Sequence, residues 1–291
     1  MPPPTSSSEL RVLRPGDEAA LEAFLVHHAD TSMFLRANAR SAGLVDRGQP
    51  LQATYVAQLD GEIVGVVAHC WNGIVLVQAP SGPAALARAA VRESRRPVTG
   101  FSGPWSQVEV ARQALGLAAA RATRNSRDDL YALDLARLIV PEPLARGAVA
   151  CRHPRADELD LLVGWRVAFS VEALGAADGP ALREASRADV LLHHERGADW
   201  VLLAGATLVA YSVFNAMLPD IVQIGGVWTP PEWRGRGYAR SVVAGSLVAA
   251  RKQGVGRAVL FADPDNAMAR AAYLAIGFRI VGDYGLVLLA P

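Results

Sequence analysis

Between Thr229 and Ser241 the sequence reads TPPEWRGRGYARS, with three arginines, two glycines and two prolines in thirteen residues. A glycine-rich turn leading from an apolar strand into a helix gathers unpaired backbone N–H groups and the positive end of the helix dipole at one point. That is the local chemistry of an anion site. Gly235 and Gly237 remove side chains that would block close approach, and Pro230-Pro231 stiffens the entry. Arg234 and Arg236 can add charge-assisted bonds to a diphosphate. Farther on, Asn266 and Tyr273 stand seven residues apart, two helical turns, and so share one face of a helix that begins after Asp263-Pro264.

Several phosphate ligands fit such a turn, and the flanking sequence narrows them. A Walker A loop needs a lysine after its last glycine, but Lys252 is the only lysine in the chain and lies well downstream. The dinucleotide fingerprint fails because Arg240 stands where its third glycine belongs, and GVGRAV at Gly254 fails likewise. A helix start with ordinary turn glycines is the bland alternative for the turn taken alone.

The elements that must position these residues form two series. In the first, a helix over Asp17 to Leu25 precedes three short strands, with Asp60-Gly61 and Asn72-Gly73 as hairpin turns. A helix near Ala84 to Arg95, a strand near Val98 to Phe101 and a helix from Ser106 to Leu117 follow. The second series repeats that order: a helix at Ala156 to Trp165, a hairpin in WVLLAGATLVAYSVF, the strand DIVQIGGVWT, a long helix after the arginine-glycine turn, the strand RAVLFAD and the helix NAMARAAYLAIGF. Short matches support a duplication, DEAAL at Asp17 with DELDL at Asp157 and VTGFSGP at Val98 with VLFADP at Val259. The reading divides the chain into a disordered tail over 1–10, a first domain over 11–140, a linker over 141–150 and a second domain over 151–291.

Composition sets the broad class. The 291 residues suggest about two domains, and 51% hydrophobic content with a net charge of +1 argues against disorder and against a polyanion partner such as nucleic acid. Cys70 and Cys151 form no zinc or disulfide pattern, and no metal site is expected. The first residues lack the charged and apolar regions of a signal peptide, and no apolar run reaches membrane-spanning length. A cytoplasmic protein without a membrane partner is the expectation, and the oligomeric state is not legible.

Arg234-Gly235-Arg236-Gly237-Tyr238-Ala239 resembles the [Q/R]-x-x-G-x-[G/A] signature of the GNAT N-acetyltransferase superfamily, preceded by the strand end Val227-Trp228-Thr229. Asn266, 27 residues beyond Ala239, then Tyr273 and Gly277-Phe278 follow in the family's order. The resemblance implies an α+β fold, a mixed twisted sheet flanked by helices, and here a tandem of two such halves. It implies acetyl transfer from acetyl-coenzyme A, without a metal, to a primary amine of a small molecule, amino acid or peptide. The phosphates fall to the turn from Arg234 to Arg240, the pantetheine arm to the strand edge Val227 to Thr229, and Asn266 contacts the coenzyme. Gly225-Gly226 suggests a bulge that splays this strand from the next one and opens a slot for the arm. A backbone N–H of Val227 or Trp228 is the oxyanion donor. Tyr273 is the general acid, since a phenol near pKa 10 can protonate a thiolate near 8.5. Glu172, Asp220 and Glu232 are the candidate bases, whereas the histidine pairs at 27–28 and 193–194 read as surface residues.

In the first half, aligning Pro104 with Pro264 puts Ser106 at the place of Asn266 and Gln113 at that of Tyr273, and APSGPAAL replaces the arginine-glycine turn. That half is expected to be degenerate, without coenzyme chemistry. The alternative from another class is a non-catalytic acyl-coenzyme A-binding or sensing protein.

Overall fold

A computed structural model describes residues 9–290, and the chain divides into two compact units. The first comprises Met1–Asp128 and Asp283–Pro291, the second Asp129–Gly282. Of the tail read over 1–10, residues 1–8 lie outside the described residues, while Glu9 and Leu10 open a strand, because they pair with Leu59 and Gln58.

The first unit contains β1 (Glu9–Val12), α1 (Glu18–Val26), α2 (Met33–Ala42), β2 (Ala53–Asp60), β3 (Glu62–Cys70), β4 (Ile74–Gln78), α3 (Pro83–Ser94), β5 (Gly100–Gly103), α4 (Trp105–Ala114) and the start of β6 (Ala122–Asp134). The second runs through α5 (Glu142–Ala145), β7 (Ala150–Arg152), α6 (Leu159–Leu174), α7 (Pro180–Glu195), β8 (Asp199–Ala204), β9 (Thr207–Met217), β10 (Ile221–Trp228), α8 (Tyr238–Lys252), β11 (Arg257–Ala262), α9 (Ala267–Leu274) and the start of β12 (Arg279–Leu289). Apart from α5, which falls in the segment read as a linker, the two series repeat one order of elements. The compact units divide at Asp128/Asp129, inside β6, whereas the sequence reading drew its boundary at 141–150.

Two strands serve both units. The first part of β6 belongs to the first unit and residues 129–134 to the second; the last residues of the chain, from Asp283, return to the first. The sheet of the first unit therefore runs β1-β2-β3-β4-β5-β12-β6, with β12 antiparallel to β5 through Gly285↔Gly103 to Leu288↔Gly100. In the second unit it runs β6-β11-β10-β9-β8-β7; β11 is antiparallel to β6 and parallel to β10.

Alternation along the strands decides which helix covers which face. In the second unit Val201, Tyr211 and Val213 meet Leu162 and Val163 of α6 and Val190 of α7. Leu202, Ala210, Phe214, Val222 and Ile224 meet Val242, Val243 and Leu247 of α8. In the first unit α1 and α2 cover one face through Leu21, Leu25 and Leu35, and α3 and α4 the other through Leu86, Ala87 and Val108. Among the described residues no helix is long and apolar enough to cross a membrane, and no three His, Cys, Asp or Glu side chains are grouped to hold a metal ion.

Candidate functional site: the β10 bulge and the turn into α8

β10 pairs with β11 only from Ile221↔Arg257 to Gln223↔Val259, although both strands continue. The ladder to β9 slips between Gln223 and Ile224 and again between Gly225 and Trp228, as the Gly225-Gly226 sequence leads one to expect of a bulge. Gly226 sits at φ +55, a left-handed conformation that L side chains rarely adopt. A Cβ on Gly225 would run into the Asn215 amide, so any larger residue there must displace that side chain. Beyond Gln223 the β10 edge is thus open on its β11 side. Two buried oxygens along it, Gln223 Oε1 and Thr229 Oγ1, have no hydrogen-bond partner among the described residues. An edge of this kind fits an extended ligand that carries amides.

After Thr229 a single 3-10 turn, Pro231–Trp233, leads to Gly235 (φ +76) and Gly237 (φ +77) before α8 starts at Tyr238. Ser241 N is bonded to Gly237 O at 3.2 Å, so the amides at the start of α8 have no intrahelical acceptor, whereas Arg234 N is already bonded to Pro231 O at 3.2 Å. A Cβ at Gly235 would meet nothing within 4 Å, which leaves the turn approachable.

The three arginines divide their work. Arg234 is braced: Nε donates to Thr229 O at 3.0 Å, Nη2 reaches Glu172 Oε2 at 2.9 Å, and the guanidinium stacks 4.9 Å over the Trp228 ring. Arg236 stacks 4.9 Å over Trp233. Arg240 has no hydrogen-bond partner among the described residues and folds back against Gly237, its Nε 3.0 Å from where a Cβ would stand. Of the three it is the one that no hydrogen bond holds, since Arg236 Nη2 reaches Glu232 O at 3.5 Å.

Comparison with known proteins bears on this geometry. The acetyltransferase (GNAT) family model matches residues 166–278. This segment is a GNAT domain. No curated protein matches the chain. Among solved structures, a Drosophila protein superposes with TM-score 0.67 at 15% identity, covering 98% of this chain and 99% of its own. A tandem GNAT protein from the clavulanic acid biosynthesis pathway gives 0.55 at 15%, covering 98% of each. A GCN5-related N-acetyltransferase of Sphaerobacter thermophilus gives 0.56 at 18%, covering 96% and 94%. At these identities the likeness shows the fold, here over both units. The chain has the fold of a tandem of two GNAT-like halves, and the family model over residues 166–278 supports acetyl transfer as the general chemistry.

Within the GNAT domain, Tyr273 lies in α9 and is 8% exposed, edge-on to Tyr131 at 5.8 Å and to Phe278 at 6.1 Å. Burial raises its phenol above the ordinary value, with the neighbouring Tyr131 adding to the effect, and its hydroxyl makes no hydrogen bond among the described residues. Asn266 is the N-cap of α9, its Oδ1 accepting from Ala269 N at 3.0 Å, a local role worth about 1 kcal/mol.

The candidate bases separate in space. Glu172 is on α6 and paired with Arg234 beside the turn, and Glu232 is exposed in the turn itself. Asp220 is at the other end of β10, where its carbonyl accepts from Gly256 and Arg257; eight strand residues put it roughly 25 Å from Trp228.

The sequence reading missed three residues on the α6/α7 face. Arg166 reaches the bulge from α6, Asn215 covers Gly225, and His193, read as a surface residue, donates its Nδ1–H to Asp189 O at 2.7 Å. Burial lowers the His193 pKa below its ordinary value. Helical spacing marks Arg166 only as one more polar position in an apolar helix, so no local signal distinguishes it.

Proposed function

We propose that the protein is an acetyl-coenzyme A-dependent N-acetyltransferase that acts on a primary amine of a small molecule, amino acid or peptide. The observation that carries this reading is the parting of β10 from β11 at the Gly225-Gly226 bulge, in line with the open amides before α8. Acetyl-coenzyme A supplies an acyl group activated as a thioester. The backbone amides from Gly235 to Ala239, with Arg236 and Arg240, hold its phosphates. The free edge Val227 to Thr229 holds its amide-rich arm in the manner of an added strand.

At the reacting end, the N–H of Val227 or Trp228 donates to the acyl oxygen as negative charge grows there. The neutral amine forms the new C–N bond while the C–S bond breaks. Tyr273 donates its proton to the departing sulfur, and the proton lost from the amine returns to the phenolate through water or a carboxylate, with Glu172, paired with Arg234 beside the turn, the leading candidate. Retention of a protonated phenol by burial supports this role for Tyr273. Asn266 serves by capping α9 and so fixing the helix that carries Tyr273.

A non-catalytic acyl-coenzyme A sensor is the second reading, favoured by the close packing of Tyr273 among Tyr131 and Phe278. The two are separated by incubating the protein with acetyl-coenzyme A and an amine panel and titrating free thiol. Amine-dependent thiol release is expected. Binding of acetyl-coenzyme A, seen as a raised Tm, with no thiol release from any amine would favour the sensor. A Tm raised by ATP and not by acetyl-coenzyme A would overturn both.

A further inference from the structure

The α6/α7 face of the bulge carries a cation that the acyl chemistry does not use. Arg166 is held on one side by Asp189, with Nη2 to Oδ2 at 2.8 Å and Nε to the same oxygen at 3.3 Å, and its guanidinium lies 5.3 Å over the Phe169 ring. Nη1 has no hydrogen-bond partner among the described residues and lies 3.7 Å from where a Cβ would stand on Gly226. That is ordinary van der Waals range, so the guanidinium borders the bulge directly. Beside it, the Asn215 side chain packs over Gly225 and makes no hydrogen bond among the described residues. The side chain of Arg166 is 19% exposed, so it is fixed in direction and partly desolvated.

A guanidinium with one edge satisfied and the other free, next to an amide side chain, suits a carboxylate. It also repels a second ammonium group. Resting on the proposed amine acetylation, we infer that the acceptor is an amino carboxylate, a free amino acid with its carboxylate on Arg166 Nη1 and Asn215 Nδ2. Its amine is then directed to the bulge. Polyamines, aminoglycosides and peptide N-termini lack a carboxylate beside the amine and are disfavoured. Asp189 is a positioning residue: it fixes the fork so that Nη1 and not Nη2 points at the bulge.

The test pairs each of the twenty amino acids with its carboxamide and measures binding to the coenzyme A-saturated protein by calorimetry, beside thiol release from acetyl-coenzyme A. Amino acids of at least one side-chain class are expected to bind about 100-fold more tightly than their carboxamides. Arg166→Gln should remove that preference while leaving coenzyme A affinity unchanged, and Arg166→Lys should restore part of it. Equal binding of acid and amide by the native protein would overturn the inference, as would a preference that survives Arg166→Gln. If carboxylate binding depends on Arg166 but no amine releases thiol, the acetyl-transfer reading fails and the carboxylate site stands. If amines are acetylated without regard to the carboxylate, the reverse holds.

Discussion

The two halves share one order of elements but treat the same junction in opposite ways. In the second unit β10 runs eight residues and pairs with β11 along the first three, so five residues of edge are left. In the first unit β4 is five residues long, pairs with β5 from Ile74↔Gly100 to Leu76↔Ser102, and stays close after that: a Cβ on Gly103 would strike the Val77 carbonyl. Gln107 of α4 accepts from Ala79 N at 2.6 Å just past the end of β4. The turn into α3 is filled as well, because Gln58 sets its amide oxygen against Gly82, the residue that corresponds to Gly237. A glycine before a helix therefore does not make a ligand site. The surrounding residues decide whether the amides face a ligand or a side chain of the protein itself, and the first half fills its junction with Gln58 and with Gln107, which accepts from Ala79 N.

The largest effect that would sharpen this contrast is at Tyr273. Tyr273→Phe should lower kcat by about 10²–10⁴ with coenzyme A affinity unchanged, measured by steady-state kinetics and calorimetry. An unchanged kcat would remove Tyr273 from the chemistry. Since burial keeps its phenol protonated above the ordinary value of 10.0, the native kcat should show no alkaline decline from this group below pH 10. Gly225→Ala comes next. The added methyl collides with Asn215 and distorts the bulge, and loss of the oxyanion donor's aim should cost about 10²–10³ in rate at a smaller cost in coenzyme affinity.

Arg240→Ala should weaken coenzyme A binding about tenfold, and more than Arg234→Ala does, since Arg234 is spent on Thr229, Glu172 and Trp228. The reverse order would show that the arginines exchange roles when ligand arrives. The smallest effect is in the first unit: Gln107→Ala leaves the Ala79 amide without its acceptor and should cost about 1 kcal/mol of stability in chemical denaturation, with no coenzyme binding gained.

Much of the second unit could be read from its sequence because the site is local. The strand end, the paired glycines and the helix start lie within Gly225 to Ala239, and the bulge follows from two adjacent glycines inside an apolar strand. The exchange of β6 and β12 was not legible. β6 opens with ATRNSRDD, whose alternating exposure looks like a polar loop, and its partners are chosen by long-range topology rather than by local pattern. α7 was missed for a related reason, as only Ser186 and Val190 of its sixteen residues are buried. Arg166, Asn215, Gln58 and Gln107 act across 60, 10, 24 and 28 positions of sequence respectively, and residue type alone does not reveal such meetings.

One junction is open and its counterpart closed. A crystal structure of the protein with coenzyme A tests this most directly. One coenzyme per chain is expected, its pyrophosphate on the amides from Gly235 to Ala239 and its arm along Val227 to Thr229, with Gln58 still against Gly82. Coenzyme bound at the Gly82 turn, or an empty β10 edge at saturating coenzyme A, would contradict it.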